Sequence, residues 1–168
     1  MSKNSSPVRG IFSAKGIALA GIIAALYVVL TLISSAFGLS SGVIQIRISE
    51  ALCILPCFTP AAIPGLFIGC LLSNVITGAV IWDIVFGSIA TLIGAIGTYL
   101  LRKNRWLAIV SPIVANAVIV PLVLIYAYHV STAYPIIILT VLAGEVISAG
   151  ILGELLYTAL YKNRRIFV

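Results

Sequence analysis

Residues 43–52 read VIQIRISEAL. They place Gln45, Arg47 and Glu50 within ten positions of a chain of 168 residues that has only ten basic and four acidic side chains. How this stretch is read decides the fold. Counted as part of an apolar segment over 44–58, it brings the hydrophobic segments to six; dismissed as a loop, it leaves five. The segment is about 15 residues long, against the roughly 20 that an α-helix needs to cross a bilayer. Length counts against it, so charge has to arbitrate.

The chain is 62% hydrophobic and 8% charged, with a mean hydropathy of +1.25. A water-soluble domain carries about a quarter charged residues, and no water-facing surface can be assembled from so few. The composition predicts lipid as the solvent. The other apolar segments fall at 16–37, 61–79, 81–101, 106–128 and 135–161, the third interrupted early by TPAAIPG with Pro60, Pro64 and Gly65.

Nine of the ten basic residues sit in three short polar stretches. These are the N-terminal tail (Lys3, Arg9, Lys15), RKNR at 102–105 and KNRR at 162–165; Arg47 is the exception. Six spans starting inside the cell put all three stretches on the cytoplasmic side, as the positive-inside rule requires. Five spans strand one basic end outside. The expectation is therefore an all-α polytopic membrane protein, a bundle of six transmembrane helices with both termini cytoplasmic. It forms a single domain over 1–168, with a cytoplasmic tail over 1–14. A cleaved signal peptide over KGIALAGIIAALYVVLTLISSAFG is the competitor. Its apolar run exceeds the 7–15 residues usual for a signal core, so a retained first helix is preferred. The net charge of +6 does not indicate nucleic acid, because no contiguous basic face carries interleaved aromatics.

An ionisable group inside the hydrocarbon is costly and marks a functional candidate. The topology assigns each such group a depth. Gln45, Arg47 and Glu50 fall at the outer end of the second segment, Asn74 at the outer end of the third, and Trp82 and Asp83 at the outer start of the fourth. Asn116 lies about ten residues into the fifth segment, roughly 15 Å deep. Glu145 reaches a similar depth in the sixth from the other direction, so the two can meet across the bundle. The inner half holds little that is polar except Glu154, on the opposite helix face from Glu145 and two turns from Lys162, its expected ion-pair partner. A channel would be polar through its full thickness. This pattern describes a pocket open to the outside over a dry floor, suited to a flat hydrogen-bonding ligand.

Each of these groups also has a plainer reading. Arg47 and Glu50, at i, i+3, can satisfy one another at the membrane edge. Trp82, Tyr126, Tyr128, His129 and Tyr134 can be interfacial belt residues. Asn116 can be an interhelical hydrogen-bond residue. Glu145 has no basic residue at its level and resists such a reading. Cys53, Cys57 and Cys70 lie in apolar segments and read as packing cysteines, so no metal site is expected. Small residues recur four apart at Ala20 and Ala24, at Gly21 and Ala25, and among Gly87, Ala90, Gly94 and Gly97, spacing that allows close helix contacts.

Two stretches, IQIRISEALCILPCFTPAAIPGLFIGCLLSN at 44–74 and WDIVFGSIATLIGA at 82–95, resemble the QueT family of queuosine-precursor transporters. The resemblance extends over about 44–160 and is densest over 45–95. Members of that family are substrate-binding (S) components of energy-coupling factor (ECF) transporters. The resemblance implies a six-helix protein of the bacterial plasma membrane that binds a micronutrient near its outer face. It also implies a membrane coupling (T) protein and two cytosolic ATPases as partners. The small-residue face of the first helix, here Ala20, Gly21, Ala24 and Ala25, would dock the coupling protein. The implied ligand is a 7-deazaguanine such as 7-aminomethyl-7-deazaguanine or queuine. Arg47, Glu50, Asn74, Trp82, Asp83, Asn116 and Glu145 are the candidate contacts, with Trp82 or a tyrosine stacking on the ring.

No GxxxxGK[ST] loop occurs, so ATP phosphates cannot be held here in that manner. No cofactor and no catalytic residue is expected. One alternative is a stand-alone secondary transporter coupled to an ion, with Glu145 and Glu154 as a relay. An intramembrane serine hydrolase using Ser88 and His129 lacks the GxSxG setting.

Overall fold

The computed structural model describes residues 11–39, 45–126 and 134–162. Lys3, Arg9, Tyr128, His129, Arg164 and Arg165 lie outside the described residues. Among those described, every regular element is helical. Helix α1 spans Ala14–Ala36, α2 Ala62–Ile76, α3 Ile81–Leu100, α4 Arg105–Tyr126 and α5 Tyr134–Glu145. A π-helical turn over Val146–Leu152 joins α5 to α6, Gly153–Tyr161. A 3₁₀ segment over Ile48–Cys57 lies between α1 and α2. The helices Ala14–Ala36, Ile81–Leu100, Arg105–Tyr126 and the continuous run Tyr134–Tyr161 are long and apolar enough to cross a membrane; Ile48–Cys57 and Ala62–Ile76 are shorter.

The stretch expected to form an α-helical span over 44–58 is thus a 3₁₀ segment of ten residues. At about 2.0 Å per residue it reaches roughly 20 Å, further than the roughly 15 Å of an α-helix of equal length. Runs of this kind are uncommon, and in a membrane they persist only where protein surrounds them. Ser49 through Pro56 are all buried, and the segment packs against α1, α2, α3, α4, the π turn and α6. It is the axis of the bundle. Leu52, Cys53 and Leu55 join Ile23, Tyr27 and Leu66 in one apolar cluster. Ile54 turns to Ala108 and Ile109 of α4 in another.

Close helix contacts are made by small residues. A Cβ placed on Gly65 would lie 2.7 Å from the Ala20 carbonyl, and one on Gly69 would lie 2.7 Å from Tyr27 Cβ and 3.0 Å from the Ala24 carbonyl. Ala20 and Ala24 therefore face inward and pack on α2. Gly21 meets nothing within 4 Å, and Ala25 is exposed. Between α3 and α4, Gly94 lies against Pro112, and Gly97 faces Ser111.

Pro112 is tolerated inside α4 for an identifiable reason. Its ring removes the donor that would bond to the Ala108 carbonyl, and Thr98 Oγ1 of α3 donates to that carbonyl at 3.0 Å. Thr98 is fully buried. Thr98→Val should destabilise the protein by about 1–3 kcal/mol through the orphaned carbonyl, read as a lowered thermal midpoint in detergent, whereas Thr98→Ser should be nearly neutral.

Candidate functional site

The first helix contributes an inward polar stripe, Tyr27, Thr31 and Ser34, spaced i, i+4, i+7 on one face. Ser34 Oγ accepts from the Ile48 amide at 2.9 Å, and Ser148 Oγ of the π turn accepts from the Arg47 amide at 3.1 Å. Thr31 exchanges a 2.8 Å hydrogen bond with Ser49. The Gln45 carbonyl lies where a Cβ on Gly144 would be, so only glycine there admits it. Residues 45–49 are pinned on one side by α1 and on the other by the last helical run. Arg47 and Glu50 are held in place by that clamp.

Glu50 is 2% exposed. It accepts a short hydrogen bond from the Tyr27 hydroxyl, and Cys53 Sγ lies 3.1 Å from its other oxygen. Arg47 takes Asp83, not Glu50, as its ion-pair partner, at 3.8 Å. Asn74 Nδ2 donates to the Asp83 carbonyl at 3.4 Å, tying α2 to the start of α3. The Schellman turn after α2, with Gly78 at φ 73° and the Ala79 amide bonded to the Asn74 carbonyl at 3.0 Å, closes this end of the site. Asn116 and Glu145 meet across α4 and α5, amide to carboxylate, at 3.0 Å.

These groups surround two adjoining cavities. The larger, about 440 Å³, is walled by Thr31, Gln45, Arg47, Asn74 and Asp83, with Val120 and Leu124 as its apolar side. The smaller, about 30 Å³, shares Gln45, Arg47 and Val120 and reaches Glu50, Thr91, Asn116 and Glu145. Carboxylates, amides, hydroxyls and a guanidinium thus converge on one concavity in an otherwise apolar bundle. Such a combination is chemically suited to hold a polar solute. Among the described residues, no group of three or more His, Cys, Asp or Glu is arranged to hold a metal ion.

Residues 17–162 match the family model described as QueT transporter. The chain belongs to the QueT transporter family. The matched range holds every polar residue of both cavities, and the family is one of transporters rather than enzymes. The chain is also similar to the Queuosine precursor transporter QueT of Lactococcus lactis subsp. cremoris (strain MG1363), with 38% identity over 72 residues. That match covers 43% of this chain and 42% of the relative. No solved structure matches.

Of the seven candidate contacts, the QueT-family fold brings six together: Arg47, Glu50, Asn74, Asp83, Asn116 and Glu145. Trp82 stands apart. It lines an apolar groove of about 700 Å³ with Phe86, Ile89, Leu122 and Tyr126, and its ring stacks on Phe86 at 6.0 Å. The reason is helical geometry. Neighbouring residues point about 100° apart, so burying Asp83 turns Trp82 out to 56% exposure. Glu154 also differs from expectation, since it pairs with Arg105 at 3.0 Å rather than with Lys162. Ser88 is buried and donates to the Ile84 carbonyl at 2.6 Å. Tyr27, Thr31, Ser49 and Ser148 were not expected at the site. The spacing of Tyr27, Thr31 and Ser34 was the available signal.

Proposed function

We propose that this chain is the substrate-binding component of an ECF-type importer. In this reading it captures a queuosine precursor, a 7-deazaguanine such as 7-aminomethyl-7-deazaguanine or queuine, from outside a bacterial cell. Six helical segments span the plasma membrane, with both termini in the cytoplasm. The paired cavities open to the exterior. The single observation that carries the reading is the convergence of Arg47, Glu50, Asn74, Asp83, Asn116 and Glu145 on one concavity, in a chain whose family transports. A guanine-like edge offers N–H donors for carboxylates and a carbonyl acceptor for Arg47 or an amide. With Trp82 on the outer groove, the flat faces of the ring are left to Val120, Leu124 and the planar guanidinium of Arg47.

The chain carries no phosphate-binding loop; in this reading its energy comes from a membrane coupling protein and two cytosolic ATPases, as the family resemblance implies. The exposed Gly21 and Ala25 of α1 form the docking face, while Ala20 and Ala24 are occupied by α2. Gly21→Leu with Ala25→Leu should leave ligand binding within about twofold of wild type, because nothing inside the fold is disturbed, and should abolish uptake by cells. Loss of binding in that variant would place the face inside the fold's own packing instead.

Two measurements test the function. Mass spectrometry of the purified chain should find a co-eluting 7-deazaguanine. Uptake of that compound should require the coupling protein and ATPases; uptake without them would favour the stand-alone ion-coupled carrier. The pairing of Glu154 with Arg105 argues against the Glu145–Glu154 relay that such a carrier would use.

A further inference from the structure

We propose that the turn joining α3 to α4 binds the phosphate headgroup of an anionic phospholipid through Arg102 and Lys103. Both helices are long and apolar enough to cross a membrane, so the turn lies at a membrane surface. Charge is the first observation. Of the four acidic residues, Glu50, Asp83 and Glu145 line the cavities, and Glu154 pairs with Arg105 at 3.0 Å. Among the described residues no carboxylate pairs with Arg102 or Lys103, and both are exposed. Two cations without a counter-ion attract an anion, and the anion a membrane surface offers is a lipid phosphate.

The second observation is that one of the two cations is already in position. Arg102 Nη1 donates to the Tyr99 carbonyl at 2.8 Å, and the guanidinium lies 3.9 Å from the centroid of the Tyr99 ring. The rest of its donor fork stays available. A guanidinium fixed in this way binds a phosphate bidentately at a smaller ordering cost than a free side chain. The turn beneath it is closed by the Asn104 amide on the Leu101 carbonyl at 2.9 Å and by Asn104 Oδ1, which accepts from the Trp106 amide at 3.1 Å. The third observation favours a lipid over a free anion or an acidic protein. Leu100, Trp106 and Leu107 are all exposed at this same end of the helix pair. Acyl chains cover such side chains while the headgroup sits on the cations, whereas a free anion or an acidic protein surface does only the second. Arg105 lies over the Trp106 ring at 4.9 Å, a mixed aromatic and cationic surface that suits the boundary between headgroup and chain.

The two tryptophans supply the test, because Trp82 near the start of α3 and Trp106 near the start of α4 stand at opposite ends of the helix pair. In the purified full chain in neutral detergent, Trp82→Phe leaves Trp106 as the single fluorophore, and Trp106→Phe leaves Trp82. Phosphatidylglycerol and phosphatidylcholine with the same brominated acyl chains are titrated into each variant as quenchers. Trp106 should be half-quenched by phosphatidylglycerol at a concentration about tenfold or more below that of phosphatidylcholine, the contribution of one to two surface charges. Trp82 should show no such preference. Adding Arg102→Gln and Lys103→Gln should abolish the preference at Trp106 without moving the thermal midpoint, since both side chains are exposed. Equal quenching of Trp106 by the two lipids, a preference that survives the double substitution, or the same preference at Trp82 would each overturn the proposal. Loss of the preference in about 10 mM inorganic phosphate, but not in chloride of equal ionic strength, would assign the cations to a free anion. Equal quenching together with loss of cellular uptake in the double variant would assign them to an acidic protein. Either result overturns the lipid site.

Discussion

Glu145→Gln should weaken ligand binding by about 2–4 kcal/mol, roughly 30- to 1,000-fold, the cost of removing the charge from a buried charge-assisted contact. The substitution preserves shape, and a glutamine oxygen still accepts from Asn116, so the thermal midpoint of the unliganded protein should hold or rise. Glu154→Gln is the control. Its partner Arg105 is at the start of α4, away from both cavities, and binding should stay within about twofold of wild type. Titration calorimetry on the two variants separates the outcomes. Wild-type affinity in Glu145→Gln would remove the carboxylate from the site.

Gly69→Leu should be the most damaging single substitution on α1 or α2. A Cβ alone would come 2.7 Å from Tyr27 Cβ and 3.1 Å from Ala24 Cα. Tyr27 is 1% exposed and has no room to retreat. Overpacking of this kind costs about 1–3 kcal/mol and more where backbone must move. The consequence reaches the site, because displacing Tyr27 removes the hydroxyl that holds Glu50. Binding should fall together with stability. Gly21→Leu, one helix face away, should do neither. Gly69→Leu with a wild-type thermal midpoint in detergent and unchanged binding would mean that α1 and α2 do not cross at Ala20, Ala24, Gly65 and Gly69.

Much of this was legible because lipid simplifies the code. Apolar runs bounded by glycine, proline or charge place helices at Ala14–Ala36, Ile81–Leu100 and Arg105–Tyr126 close to the expected limits of 16–37, 81–101 and 106–128. Scarcity of charge made Arg47, Glu50, Asp83 and Glu145 conspicuous, and the equal depths of Asn116 and Glu145 anticipated their hydrogen bond. The form of the central segment was not legible. A helix buried on every side shows no amphipathic period, and over ten residues a repeat of three cannot be told from 3.6. The π turn after Glu145 left no sequence mark beyond the small residues Ser148, Ala149 and Gly150. Tyr27, Thr31 and Ser34 carry no charge, so ranking ionisable groups by depth passes over them. Grouping Trp82 with Asp83 in one pocket overlooks the roughly 100° between adjacent helical positions.

The clamp on residues 45–49 accounts for the placement of Arg47 and Glu50 beside the two cavities. Ser34, Ser148 and the contact of Gly144 with the Gln45 carbonyl fix its entrance. Buried protein on all sides permits its 3₁₀ form. Arg47 and Glu50 emerge one turn apart and are taken by different partners, Asp83 on one side and Tyr27 on the other. The plainer reading of a mutual Arg47–Glu50 pair gives way to two separate anchors at the edge of one concavity.

Whether this concavity binds a 7-deazaguanine, as proposed, is decided by equilibrium binding of a radiolabelled 7-deazaguanine to the purified wild-type chain. Saturable binding with one site per chain is expected, displaced by unlabelled 7-deazaguanine and lost in an Arg47→Ala, Glu145→Ala double variant that still folds. Absence of saturable binding by any 7-deazaguanine, or full binding by that double variant, would contradict it.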